Sequence, residues 1–274
     1  MNYKILIAGI LIWVFISPDA AIGQLERRPV VTDRPVELTF MAPRNINLYT
    51  VENLSKGELH YSIMHTFGEV NTGIGTLYGL DGGANIRFSI EYGFTDRFSV
   101  GFGRSSLDKY VDITSRLHLL KQMQSGDMPL SLSVVGSAGV TTSELGWISS
   151  LGKEGYSFND RLSFAGSLLI ARKFSDRLSL QLAPTIVNFN RVGQEISVAD
   201  PAVNTYVALG VSGRYKVASR TALSLQYIPV IPGIVSDPEN LSYNLAVGID
   251  IETGGHVFQM FFTTSRALND QYLI

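Results

Sequence analysis

The chain has 274 residues, a formal net charge of −2, 17% charged and 45% hydrophobic residues, and no cysteine. This balance excludes a disordered tail, a disulfide scaffold, a thiolate metal site, a cysteine nucleophile and the basic footprint of a nucleic-acid binder. The 26 glycines follow no triplet period, so a collagen-like fibre is excluded too, leaving one large all-β domain or two average ones.

In chain order, residues 1–23 read as a secretory signal peptide. Lys4 supplies the positive start, residues 5–16 form a nearly unbroken apolar run, Ser17-Pro18-Asp19 breaks it, and Ala21 and Gly23 occupy −3 and −1 of a cut before Gln24. The run is shorter than the about 20 residues a spanning helix needs. No later stretch approaches that length, so after export the chain either stays free or enters a membrane as strands. Residues 24–57, with Arg27, Arg28, Pro29, Arg34, Pro35 and Pro43, read as an N-terminal periplasmic arm with short strand contacts near 47–50.

From residue 58 to 274 the pattern has period two, and this part is expected to form a β-barrel domain. The clearest strand is 241–252, where Leu241, Tyr243, Leu245, Val247, Ile249 and Ile251 share one face. Ser242, Asn244, Ala246, Gly248, Asp250 and Glu252 share the other, because successive strand side chains point to opposite sides. Segments 203–217 and 85–94 repeat the pattern. Weaker copies at 58–67, 98–104, 109–119, 130–141, 160–173, 177–187, 220–230 and 255–264 bring the total to about eleven. Most approach the 9–11 residues that a tilted strand needs to cross a bilayer. A soluble barrel fills its interior with bulky aliphatics and puts charge outside. Here the aromatic-rich face carries almost no charge and the other face is small and polar, which makes sense when lipid is outside.

The connections agree. Phe94-Thr95-Asp96-Arg97-Phe98 matches Phe174-Ser175-Asp176-Arg177-Leu178, residues 217–220 are a looser copy, and Thr253-Gly254-Gly255-His256 is a glycine turn. These tight turns and the modest 120–129 connection fall on one side by strand parity. The longer connections at 68–83, 142–159, 188–202 and 231–239 fall on the other, where only 105–108 is short; this is the outer-membrane arrangement of short periplasmic turns and longer external loops. Phe94, Phe98, Phe174 and Phe258 are expected in an aromatic girdle beside the turns.

The run Gly82-Gly83-Ala84-Asn85-Ile86-Arg87-Phe88, then Glu91-Tyr92-Gly93-Phe94-Thr95-Asp96-Arg97, then Val100-Gly101-Phe102-Gly103-Arg104-Ser105-Ser106, resembles a family of exported β-barrel proteins filed as domain of unknown function 5777. The segments 210–216 and 248–256 fit it as well. The resemblance covers most of 45–274 and implies an outer-membrane or envelope β-barrel. It transfers no activity and no catalytic residue. Such chains are expected to run into a final strand ending near an aromatic residue, whereas this sequence stops at Tyr272-Leu273-Ile274. Bacterial single-chain barrels have even strand numbers, so a twelfth strand is expected in a complete chain, or a short partner strand from 47–50.

Three constellations bear on chemistry. His60 and Ser62 share a strand face and, with Glu58 or Glu69, would make a serine-type lipid hydrolase; an ordinary polar lumen position explains them more simply. The four histidines (His60, His65, His118, His256) lack metal spacing, and His60 and His65 fall on opposite faces. Gly101-Phe102-Gly103 lies within a strand, which rules out a phosphate-cradling turn. Arg87, Glu91, Asp112, Arg116, Arg214, Lys216, Asp250 and Glu252 all have lumen parity. Their mixed signs favour a salt-bridged network over a selective wet pore.

The expectation is therefore an all-β, antiparallel up-and-down transmembrane barrel in the outer membrane. Its role would be that of a passive small channel or a structural or binding barrel. Its partners would be the lipid bilayer and a small solute, without cofactor or nucleic acid. The alternatives are the lipid-modifying hydrolase and a secreted soluble barrel that binds a small apolar ligand.

Overall fold

Alternation decides this fold more than any single residue does. The computed structural model describes residues 33–143, 157–190, 204–231 and 243–274; the expected signal peptide lies outside them. A small hairpin comes first, β1 (Arg44–Asn45) with β2 (Leu48–Tyr49). Eleven strands follow: β3 (Leu59–Thr66), β4 (Asn85–Thr95), β5 (Phe98–Ser105), β6 (Tyr110–Leu120), β7 (Ser131–Thr141), β8 (Leu162–Lys173), β9 (Leu178–Phe189), β10 (Thr205–Ala218), β11 (Thr221–Ile228), β12 (Asn244–Glu252) and β13 (Val257–Thr263). Every one of the eleven expected strands is present, with ends among the described residues moved by two residues or fewer; 203, 241 and 242 of the expected strands lie outside the described residues. They form one sheet in sequence order, each antiparallel to its chain neighbours. This is an up-and-down meander built from local connections.

The sheet is not closed: among the described residues β3 and β13 are its two edges. The chain after β13 crosses this seam at the long-loop end. Thr66 Oγ1 and Asn85 Nδ2 both donate to the Arg266 carbonyl, each at 2.7 Å, and the Arg266 guanidinium donates to the Gly83 carbonyl at 3.0 Å. No twelfth strand follows β13 here. Residues 264–274 turn inward and end in a short 3-10 helix, Asp270–Leu273, with Leu268, Gln271 and Leu273 buried. The 47–50 segment does not extend the sheet either, since Leu48 and Tyr49 pair with Asn45 and Arg44.

The two faces separate as the alternation predicts. Outward-facing Tyr61, Ile63, Phe88, Ile90, Phe102, Ile113, Leu225, Val247 and Phe262 are exposed, while inward-facing Arg87, Asp112, Ser133, Gln181, Ser212, Gln226 and Asp250 are buried. Apolar patches of this extent are not left in water by a monomeric soluble protein. Near the tight turns, Tyr92, Phe94 and Phe98 form a ring cluster, with centroids 5.0 Å apart for the first pair and 6.2 Å for the second.

Glycine on the inner wall makes room for large lumen groups. The Arg87 guanidinium lies across Gly103, and the Tyr110 phenol, bonded to Ser163 Oγ at 2.7 Å, lies across Gly139. A Cβ at either position would overlap these groups. Gly139→Val is therefore expected to destabilise the barrel by about 1–3 kcal/mol through overpacking. Gly166→Ala, which meets only Ile186 at an ordinary contact distance, should leave the urea midpoint unchanged. Urea denaturation followed by heat-modifiable gel migration compares the two.

Candidate functional site: the filled lumen

The interior of the barrel is occupied by its own chain. Residues 33–57, expected as a periplasmic arm, enter from the tight-turn end, where Val36 N–H donates to the Gln122 carbonyl and Gln124 N–H to the Arg34 carbonyl. They leave at the same end, where Lys56 N–H reaches Asp96 Oδ1 and Gly57 N–H reaches the Gly93 carbonyl. Between these points Phe40, Ile46, Leu48, Tyr49 and Val51 are buried. The reading as an arm is corrected for the described part: it is a loop inserted into the lumen. The physical reason is apolar burial. Val135, Leu169, Ala171 and Ala183 break the polar inner face and cluster with Phe40, Tyr49 and Val51.

Side-chain amides on the wall act as backbone partners for the inserted loop. Gln181 Oε1 accepts from Val51 N–H at 3.1 Å, and its Nε2 donates to the Tyr49 carbonyl at 2.7 Å. Gln226 Oε1 accepts from Asn47 and Leu48 N–H, both at 3.0 Å. Asn45 Nδ2 lies 3.4 Å from the Gly213 and Leu225 carbonyls. These bonds stand where a neighbouring strand would otherwise satisfy the buried backbone, and leaving such a group unmet costs about 1–3 kcal/mol.

The predicted lumen charges split into two groups. On the β4–β6 wall they pair. Arg87 forms a two-pronged ion pair with Asp112, at 2.5 and 2.7 Å. Arg116 meets Glu91 at 3.0 Å, and Glu91 also accepts from Ser99 Oγ at 2.6 Å. Arg116 extends further into the lumen, donating to the Thr50 carbonyl at 3.3 Å and to the Glu52 carbonyl. Its guanidinium lies 4.7 Å from the centre of the Tyr49 ring, and that of Arg44 lies 3.7 Å from the same ring. Tyr49 is thus held by two cations, an arrangement favourable to an aromatic face. On the β10–β12 wall the predicted charges do not pair: Arg214, Lys216, Asp250 and Glu252 form no ion pair among the described residues, and Asp250 accepts from Ser224 Oγ at 2.6 Å.

Sequence reasoning missed Arg44 and Asp270. They join at 3.1 Å and connect the inserted loop to the C-terminal segment, which fills the lumen from the other end. There Gln271 Nε2 donates to Ser137 Oγ at 2.8 Å, and the Tyr272 ring packs between Tyr110 and Phe189 at 5.1 and 5.9 Å. His60 and Ser62 do face inward together, opposite Glu91 and Ser89. No hydrogen bond joins them among the described residues, and Glu58 is engaged by the Ser55 N–H at 2.9 Å. His118 serves the inserted loop, with Nδ1 3.1 Å from the Val51 carbonyl and 3.0 Å from Ser133 Oγ.

A family model described as a membrane bound beta barrel domain, domain of unknown function 5777, matches residues 40–274. The chain belongs to this family. The match begins at Phe40 and so takes in the buried part of the inserted loop as well as the sheet. Membership also removes the reading as a secreted soluble barrel. No curated protein and no solved structure matches the chain.

Arg116→Met should lower stability by about 3–5 kcal/mol, because it strands Glu91 as a buried unpaired carboxylate. Adding Glu91→Gln should recover part of that loss. Urea midpoints of the single and double variants test the pair.

Proposed function

We propose that the protein is an outer-membrane barrel closed by its own chain, with a non-catalytic structural or binding role rather than that of an open pore. One observation carries this reading: Tyr49, clamped between Arg44 and Arg116, places the inserted loop across the lumen. The outer-membrane location rests on the signal-peptide pattern of residues 1–23 and on the side-by-side division of short turns and long connections. The tight-turn end then faces the periplasm and the 68–83 connection faces outward. A passive small channel would need a continuous water path, and the inserted loop and the C-terminal segment lie in its way.

In planar bilayers the full chain is expected to give no steady conductance, whereas a variant lacking residues 33–52 should give ohmic steps. Stepwise conductance from the intact chain would overturn the closed-barrel reading whatever the deletion does. Recovery of the protein in the inner-membrane fraction on a density gradient would overturn the location.

A further inference from the structure

We propose that the tight-turn mouth of the lumen holds a site for a small anion, bearing a carboxylate or phosphate group, with Arg214 as its anchor. A cavity of about 220 Å³ lies there between Met41 of the inserted loop and the inner wall, which contributes Lys173, Arg214 and Lys216 together with the carboxylates of Asp176 and Glu252. This goes beyond the closed-barrel reading and rests on it in one respect, because the inserted loop forms one side of the cavity.

Arg214 sets this cavity apart from the rest of the lumen. It is 5% exposed, and its Nε, like those of Arg87 and Arg116, has no hydrogen-bond partner. It forms no ion pair among the described residues, whereas Arg44, Arg87 and Arg116 each have a carboxylate. A guanidinium taken out of water without an anion is costly, and its fork matches a carboxylate or phosphate in two-pronged geometry. No local carboxylate forms an ion pair with it: Asp250 accepts from Ser224 Oγ at 2.6 Å through one oxygen, its other oxygen is buried without a hydrogen-bond partner, and neither Asp176 nor Glu252 forms an ion pair among the described residues. The neighbouring Lys173 Nζ donates to the neutral Glu37 carbonyl at 2.9 Å and forms no ion pair among the described residues. The cavity lining thus carries three cations and two carboxylates, and its most deeply buried cation is in no ion pair among the described residues. Its position at the lumen mouth makes it accessible from the tight-turn side without displacement of the inserted loop.

The experiment is calorimetric titration of the detergent-solubilised full chain with inorganic phosphate, succinate and a short-chain phosphatidylglycerol. The wild type is expected to bind phosphate or succinate at one saturable site. Arg214→Gln should weaken binding by about tenfold or more, as expected for a lost charged contact, and Lys216→Gln by a smaller factor, both with unchanged heat-modifiable migration. Binding of the lipid alone would support the same site and make its ligand a headgroup. No saturable binding by any of the three probes, or binding by Arg214→Gln equal to that of the wild type, would overturn the proposal. Conductance of the same preparation separates the two readings: a wild type that conducts yet binds phosphate keeps the site and loses only the closure.

Discussion

The constraint on which this structure depends is that a sheet facing lipid can send its polar groups only inward. The outer face carries Ile63, Phe88, Phe102, Val247 and Phe262, so the inner face must take the arginines, carboxylates, amides and hydroxyls. Once these are enclosed each needs a partner, because an unmet buried polar group costs more than a typical hydrogen bond returns. The chain answers with its own backbone. The inserted loop supplies carbonyls to Arg116 and N–H groups to Gln181 and Gln226, so that wall and filling complete each other.

That view explains residues which look anomalous on strands. Gly103 and Gly139 leave space for Arg87 and Tyr110. Val135 and Leu169 give Phe40 and Val51 an apolar seat in an otherwise polar tube. Both walls grip the loop, but charges form ion pairs on the β4–β6 wall and form none on the β10–β12 wall among the described residues.

The alternation made the sheet legible almost strand for strand, because a period of two leaves little freedom once one face is committed to lipid. It placed Arg87, Asp112, Glu91 and Arg116 on one surface, and they do meet there. It could not show which charges meet, since Arg87 and Asp112 lie two strands apart and their contact depends on Gly103 between them. The inserted loop was not legible because residues 33–57 have no periodicity and look like a solvated arm by composition. Some signal was available: Leu168-Leu169-Ile170 cannot all face lipid on one strand, so one of them had to meet something apolar inside. Asp270 gave no such signal, because its role depends on Arg44, far away in sequence.

The Arg44–Asp270 ion pair links residues 226 positions apart, whereas every strand pairing in the sheet is between chain neighbours. The two kinds of contact carry different entropic costs of loop closure, and non-local contacts form more slowly. The meander can therefore zip up hairpin by hairpin while its interior is still empty. The filling, by contrast, draws on walls from distant parts of the sequence, so its contacts carry the longer loop closures. The ion pair thus ties the two ends of the described chain together inside the barrel, a link that no strand pairing supplies.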